Sequence, residues 1–268
     1  MVVGEVEVAA LVDAAGGLGE LEEVFPATTD WAPYREAYPS LFKGSQFRLS
    51  CGNYLLRGAG RTVLVDTGVG PPGLWDDWDR DFEGRLPDEL AAAGASREDV
   101  DVVFLTHLHI DHVGWNTDAE GRAFFPNARY VVHGDALEYA RIGEGRRNHT
   151  TRTIDPLGFE KVEGETELAP GITAVDLPGH YPGHMGVRIH AGDAEALILG
   201  DAAAHPMLFD RLSDTFSNDH DEERAIETRE HLLPELVDRD VLVLCGHYPD
   251  GGIGRLVRRD GRVLWTPE

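Results

Sequence analysis

The run Thr106-His107-Leu108-His109-Ile110-Asp111-His112-Val113-Gly114 puts three imidazoles and a carboxylate into six consecutive residues, in the order His-x-His-x-Asp-His. These are the donor types that zinc and other borderline divalent cations take. Crowded together without a cation, such groups would suffer desolvation and mutual repulsion. The spacing therefore reads as a metal site rather than a histidine-rich surface loop. His107 and His109, two residues apart, can face one ion from an extended turn, while the adjacent Asp111 and His112 can diverge toward a second. Three more donors follow downstream in Leu177-Pro178-Gly179-His180, Leu199-Gly200-Asp201 and Cys245-Gly246-His247. In each, a glycine precedes the donor and permits close backbone approach. One tetrahedral ion needs about four ligands, and this chain offers more.

Something must bring these donors together, and the surrounding pattern says what. Asp101-Val102-Val103-Phe104-Leu105 reads as a buried strand that stops at the motif. Residues 172–176, 187–190, 196–199 and 241–244 read as further strands, three of them feeding His180, Asp201 and His247. Loops gathered at one edge of a sheet core are the expected arrangement. Upstream, 46–57 and 61–66 form a hairpin around Gly58-Ala59-Gly60. Helices are expected at 86–93, at 135–142 with Asp135 as N-cap, and at 219–237, the last interrupted by Pro234. Residues 129–133 are a strand, 143–156 a polar loop, and 256–263 a closing hairpin. Residues 5–12 can open the chain as a strand. Residues 13–46, with Phe25, Trp31, Tyr34, Tyr38 and Phe42 among three prolines, read as irregular. That segment is too long for a plain connection, so a lid, a pocket rim, a dimer contact and ordinary loop packing all remain open. No repeat or low-complexity linker divides the chain, and a single domain over 1–268 is the simplest organisation.

Composition excludes several functional classes. The 268 residues carry 48 acidic and 24 basic side chains, a formal net charge of −24, and Lys43 and Lys161 are the only lysines. Such a charge argues against nucleic-acid and anionic-membrane partners. Apolar stretches are strand-length, too short to span a bilayer. The first residues include Glu5 and Glu7 and lack the pattern of a signal peptide, so a cytoplasmic location is expected. Two cysteines, Cys51 and Cys245, make no disulfide framework. Cys245 lies two residues from His247, but the histidine is the better ligand.

The set His107-x-His109-x-Asp111-His112, His180, Asp201 and His247 resembles the metal-binding set of the metallo-β-lactamase superfamily. Val65-Asp66-Thr67-Gly68, Leu177-Pro178-Gly179-His180-Tyr181-Pro182-Gly183-His184 and Leu199-Gly200-Asp201-Ala202 are similar to its supporting motifs, in the same order, from about residue 45 to 250. The resemblance implies an α+β fold, the four-layer αββα sandwich. It also implies two divalent ions, zinc first, with manganese, cobalt or iron as alternatives. His107, His109 and His180 would hold one ion, Asp111, His112 and His247 the other, and Asp201 would bridge them. Hydroxide shared by both ions would be the nucleophile, Asp111 would pass a proton to the leaving group, and Asp66 would orient a ligand imidazole. His180 rather than His184 takes the ligand position, leaving His184 a supporting role.

Within the superfamily, Asp201 stands where zinc β-lactamases have cysteine, and the flavodoxin and nuclease additions are missing. Cys51-Gly52-Asn53-Tyr54-Leu55-Leu56, Asp111-His112-Val113-Gly114-Trp115-Asn116 and Gly246-His247-Tyr248-Pro249 are similar to the lactonases and the organophosphate-hydrolase-like group. The resemblance implies a hydrolase of small molecules that opens a lactone of the acyl-homoserine type, as in quorum quenching, or cleaves a carboxylic ester. Phosphotriester or aryl-ester hydrolysis is the alternative in the same site; a mono-iron oxygenase or a non-catalytic metal protein is the alternative from another class. One departure stands out. Ala204 occupies the position where acyl-homoserine lactonases often carry a tyrosine that assists the carbonyl oxygen, which leaves His205 or Tyr248 to assist, or a different substrate. The N-terminal aromatics make a homodimer an expectation.

Overall fold

Buried strands here alternate between two cores. Along Val102–Leu105, Val102 and Phe104 face one apolar cluster while Val103 and Leu105 face another. A strand of β-branched and aromatic residues that is buried on both faces belongs inside a layered structure. The computed structural model describes residues 1–28, 30–75, 82–142 and 150–268.

The first sheet takes β1 (Val2–Val3), β2 (Val6–Glu20), β3 (Phe42–Lys43), β4 (Gln46–Gly58), β5 (Arg61–Val65), β6 (Val102–Leu105), β7 (Arg129–His133) and β8 (Phe159–Val162). Its order is β1-β2-β4-β5-β6-β7-β8, with β3 beside β4. The second takes β9 (Thr166–Ala169), β10 (Ile172–Asp176), β11 (Met185–Ala191), β12 (Ala194–Ile198), β13 (Leu242–Leu244), β14 (Ile253–Arg259) and β15 (Arg262–Pro267), laid out in reverse order from β15 to β9. β5 through β8 pair in parallel, as do β12 and β13. The two sheets meet face to face through Val8, Leu56, Val63, Phe104 and Val131 on one side and Ile172, Val187, Ile198 and Leu244 on the other.

Helices cover the outer faces. α3 (Leu86–Ala92), α4 (Gly134–Arg141) and α5 (Thr151–Ile154) close the first sheet through Leu86, Leu90, Leu137 and Ile154. α6 (Met207–Asp210) and α7 (Glu222–Asp238) close the second through Leu208, Phe209, Leu232 and Leu236. The N-terminal α1 (Leu21–Val24) and α2 (Ala32–Ala37) join that same side. The result is the expected four-layer αββα sandwich. Each fully buried Val, Leu or Phe contributes roughly 1.5–3 kcal/mol over its exposed state.

Several element expectations change. β2 does not stop near residue 12 but runs on to Glu20 beside β4, with register shifts at Val12/Ala14 and Gly17/Gly19. Small residues in its second half hid the alternation that marks a strand. Of the rest of residues 13–46, Leu21–Val24 and Ala32–Ala37 form α1 and α2, Pro39–Leu41 a 3-10 turn and Phe42–Lys43 β3. Phe25, Tyr34 and Tyr38 are buried in the chain's own core rather than exposed. α4 is capped by His133, whose ring accepts from the Asp135 amide, rather than by Asp135. α7 begins at Glu222 with Asp221 as its cap. It continues through Pro234, because Leu232, Leu233 and Leu236 are held in the core. β8 and β9 were not foreseen, and of the polar loop at 143–156, residues 143–149 lie outside the described residues.

Candidate metal centre

The candidate donors follow the C-terminal ends of β6, β10, β12 and β13, and the supporting Asp66 follows β5, where both sheets open on the same edge. Asp66 follows β5 in a left-handed conformation, φ 64°. Its carboxylate accepts from the Thr106 amide at 2.8 Å and the Thr106 hydroxyl at 2.9 Å, clamping the end of β6 just before the motif. The same carboxylate meets Nδ1 of His112 at 2.9 Å. The turn is locked again where Gly114 donates to the Gly68 carbonyl at 2.7 Å. A Cβ on Gly114 would lie 2.0 Å from the Val69 backbone, so only glycine fits there. Asp13, fully buried on β2, accepts from the amides of Val69 at 2.7 Å and Leu86 at 2.6 Å and from the Trp115 indole at 3.0 Å.

The later loops are held as tightly. Gly179 sits at φ 127°, and a Cβ there would strike the Ala225 amide nitrogen at 2.3 Å, which brings the α7 N-terminus directly onto the His180 loop. His180 meets the buried Asp219 through Nδ1 at 2.9 Å and stacks on Phe216 at 5.7 Å. His184 Nδ1 contacts the Leu177 carbonyl at 2.8 Å, while its Nε2 accepts from the Asp201 amide at 2.9 Å. His184 thus sets the backbone of Asp201. His247 points Nδ1 at the Ser50 carbonyl, 2.7 Å away.

With their outer nitrogens engaged, His112, His180 and His247 turn Nε2 inward. All seven candidate donors are brought together, in two adjoining groups: His107, His109, His180 and Asp201, and Asp111, His112 and His247. Donor atoms within each group lie within 4.8 Å of one another. His109 Nδ1 is 3.0 Å from both His107 Nε2 and His180 Nε2. Asp201 lies between the groups, 2.9 Å from His247 Nε2, 3.3 Å from His180 Nε2 and 3.4 Å from His112 Nε2.

This cluster has the chemistry of a cation site. Burial, with His112 beside it, outweighs the opposing Asp201 carboxylate and holds His107 neutral, and burial with His180 beside it does so for His109. The carboxylates of Asp201, Asp111 and Asp66 overcome burial and raise His112 well above its usual range. Against burial, Asp201 likewise raises His247 to about 9. Burial opposes the charge on Asp201, but His247, His112 and His107 hold its carboxyl well below the usual range. His112 Nε2 is buried with no hydrogen-bond partner among the described residues. Nitrogen lone pairs converging at these distances match the edge of a tetrahedral zinc site, about 3.3 Å for a Zn–N bond of about 2.05 Å. The residues present therefore fit two divalent ions.

Other expectations meet a different outcome. Neither His205 nor Tyr248 is placed to assist at a carbonyl oxygen, for both are fully buried in the apolar cluster over the second sheet. His205 is ringed by Phe25, Trp31, Tyr34, Tyr38, Phe42 and Phe47 at 5.5–6.1 Å. Cys51 and Cys245 are free, buried thiols. Asp13, Asp219 and Arg229 escaped the sequence reading altogether. They sit in no motif, and a lone acidic or basic residue in the sequence carries no sign of burial.

Comparison with known proteins agrees with this geometry. Residues 47–247 match the metallo-beta-lactamase superfamily. An N-acyl homoserine lactonase from a Bacillus species is 26% identical over 227 residues, 78% of this chain and 85% of that protein. A protein of Mycobacterium tuberculosis named as a probable metallo-hydrolase is 28% identical over 223 residues, 70% of this chain and 71% of its own. Among solved structures, AidC, a dizinc quorum-quenching lactonase in complex with a product, superposes with a TM-score of 0.82 at 23% identity. That alignment covers 100% of this chain and 96% of AidC. The chain belongs to the metallo-β-lactamase superfamily.

Proposed function

We propose that this member of the metallo-β-lactamase superfamily is a two-metal hydrolase that opens lactones of the N-acyl homoserine type. The observation that carries the reading is the convergence of seven histidine and aspartate donors in two adjoining groups. The N-acyl homoserine lactonases among its relatives support the substrate class. We assign His107, His109 and His180 to one ion, Asp111, His112 and His247 to the other, and Asp201 to both. Zinc is the favoured ion, on the strength of the nitrogen-rich donor set. A cytoplasmic location and a single hydrolase domain over 1–268 belong to the same proposal, on the sequence grounds given above.

When bound, such a pair of cations makes water acidic enough to attack near neutral pH and draws electron density from the substrate carbonyl. The chain's own residues do the rest. Asp66, Asp219 and the Ser50 carbonyl fix the outer nitrogens of His112, His180 and His247, so their lone pairs stay aimed inward. Asp201, held as carboxylate between the groups, keeps them in register. Asp111 has 13% of its side chain exposed against 0–6% for His107, Asp201, His112, His180 and His247. It is the more exposed of the two carboxylates, and it would take the proton released by the attacking water and pass it to the departing alkoxide oxygen.

A panel of acyl-homoserine lactones, aryl esters and phosphotriesters assayed with metal-loaded protein tests the substrate. Lactones should lead by at least about tenfold in kcat/KM, a barrier difference of about 1.4 kcal/mol. A phosphotriester in first place would reassign the substrate. Full hydrolysis by an Asp201→Ala variant stripped of metal would overturn the mechanism.

A further inference from the structure

His107, His109, Asp111 and His112 share the loop after β6, but His180 rests on a different part of the fold from His112 and His247. His112 and His247 are held by Asp66 and by the Ser50 carbonyl of β4, both in the first sheet and its loops. His180 is held from the opposite side, by α7 and the residues leading into it. The Thr228 hydroxyl donates to the Pro178 carbonyl at 2.6 Å, the Asp221 amide to Gly179 at 2.9 Å, and the His220 amide to His180 at 3.1 Å. Asp219 takes Nδ1 of His180.

Arg229, in the third turn of α7, ties these contacts to a second donor. Its side chain is fully buried. Nη1 donates to Asp219 Oδ2 at 3.2 Å and reaches the Ala202 carbonyl, next to Asp201, at 3.4 Å; Nη2 donates to the Asp214 carbonyl at 3.0 Å. One guanidinium thus touches the support of His180 and the backbone beside Asp201, both members of the His107/His109/His180/Asp201 group. Its Nε has no hydrogen-bond partner among the described residues. A buried arginine left with an unmet N–H is costlier than an apolar side chain of similar volume. Stability alone gives no reason for it, whereas a bidentate fork spanning two loops does.

We infer that Arg229 is a positioning residue that governs metal retention in the His107/His109/His180 group selectively, through Asp219 and the Ala202 carbonyl, and leaves the Asp111/His112/His247 group untouched. The inference rests on the two-metal reading above. Asp201 contacts both groups, yet His112 and His247 keep their own supports, so the second group retains its ion when the first loosens.

The test is a zinc and cobalt titration with chelator competition on wild type, Arg229→Met, and the paired variant Asp219→Asn/Arg229→Met. The paired variant buries no unpaired charge, so it reports even if the single variant unfolds, and circular dichroism checks each fold. Wild type should hold two ions tightly. Both folded variants should keep one at wild-type affinity and release the other about ten- to a hundredfold more readily, the loss typical of removing a support behind a metal ligand. Histidine nitrogen spectra should show His180 changed and His112 unchanged. Equal weakening of both ions, or of neither, overturns the inference while leaving the two-metal reading intact. A wild-type protein that holds no ion overturns both.

Discussion

Asp66 shows how much a single side chain decides. Its carboxylate ends β6, through the amide and hydroxyl of Thr106, and orients His112. Replacing it with alanine removes the orienting contact of His112 in the second donor group and loosens the Thr106 clamp beside His107. We expect Asp66→Ala to weaken one bound ion by about ten- to a hundredfold, read by chelator competition; an unchanged pair of affinities would show that His112 is oriented by something else. The role of Asp66 was legible in the sequence because Val65-Asp66-Thr67-Gly68 is part of a recurring pattern. The equivalent role of Asp219 was not, since it lies in the unremarkable run Ser217-Asn218-Asp219-His220 and meets His180 only across the fold. His184 stood between these cases. Its place beside the ligand histidine marked it as a supporting residue, but only the structure shows that it grips the amide of Asp201.

Among the elements, the N-terminal segment gains most from the structure. Its aromatic residues read as the makings of a lid or a dimer contact, yet α1, α2 and β3 bring them around His205, four residues beyond Asp201 in the loop that leads to α6. The imidazole Nδ1 accepts from the Met207 amide at 3.0 Å, and burial pulls the ring's pKa down from 6.5 to about 3. Between those values the unfolded chain takes up a proton that the folded chain refuses. The stability that depends on neutral His205 is therefore complete above pH 6.5 and is lost as pH falls through that window. At about pH 5 the loss amounts to about 2 kcal/mol. His205→Phe should be less stable than wild type near neutral pH and close most of that gap by about pH 5, measured by urea unfolding. A gap that stays constant with pH would show that the imidazole is not held neutral.

For the molecule as a whole, the seven donors lie where the two sheets open on one edge, and both sheets and α7 contribute supports. Ion binding and folding are therefore linked. Stripping metal with a chelator should lower the unfolding free energy by about 4 kcal/mol for each ion present at a thousand times its Kd, seen as a shift of the denaturant midpoint; an unmoved midpoint would place the ions outside the folding unit. No helix among the described residues is long and apolar enough to cross a membrane. By itself, the sequence determined the identities of the donors, the turns that carry them and the alternating strands that feed those turns. These are local properties, written in residue type and short spacing. Only the tertiary structure decided how closely the donors converge and which distant residues stand behind them. Asp13, Asp219 and Arg229 act through partners 10 to 102 residues away, at distances set by how the two sheets and their helices pack. Burial turns an ordinary carboxylate or guanidinium into a structural clamp, and burial is a property of the packed whole.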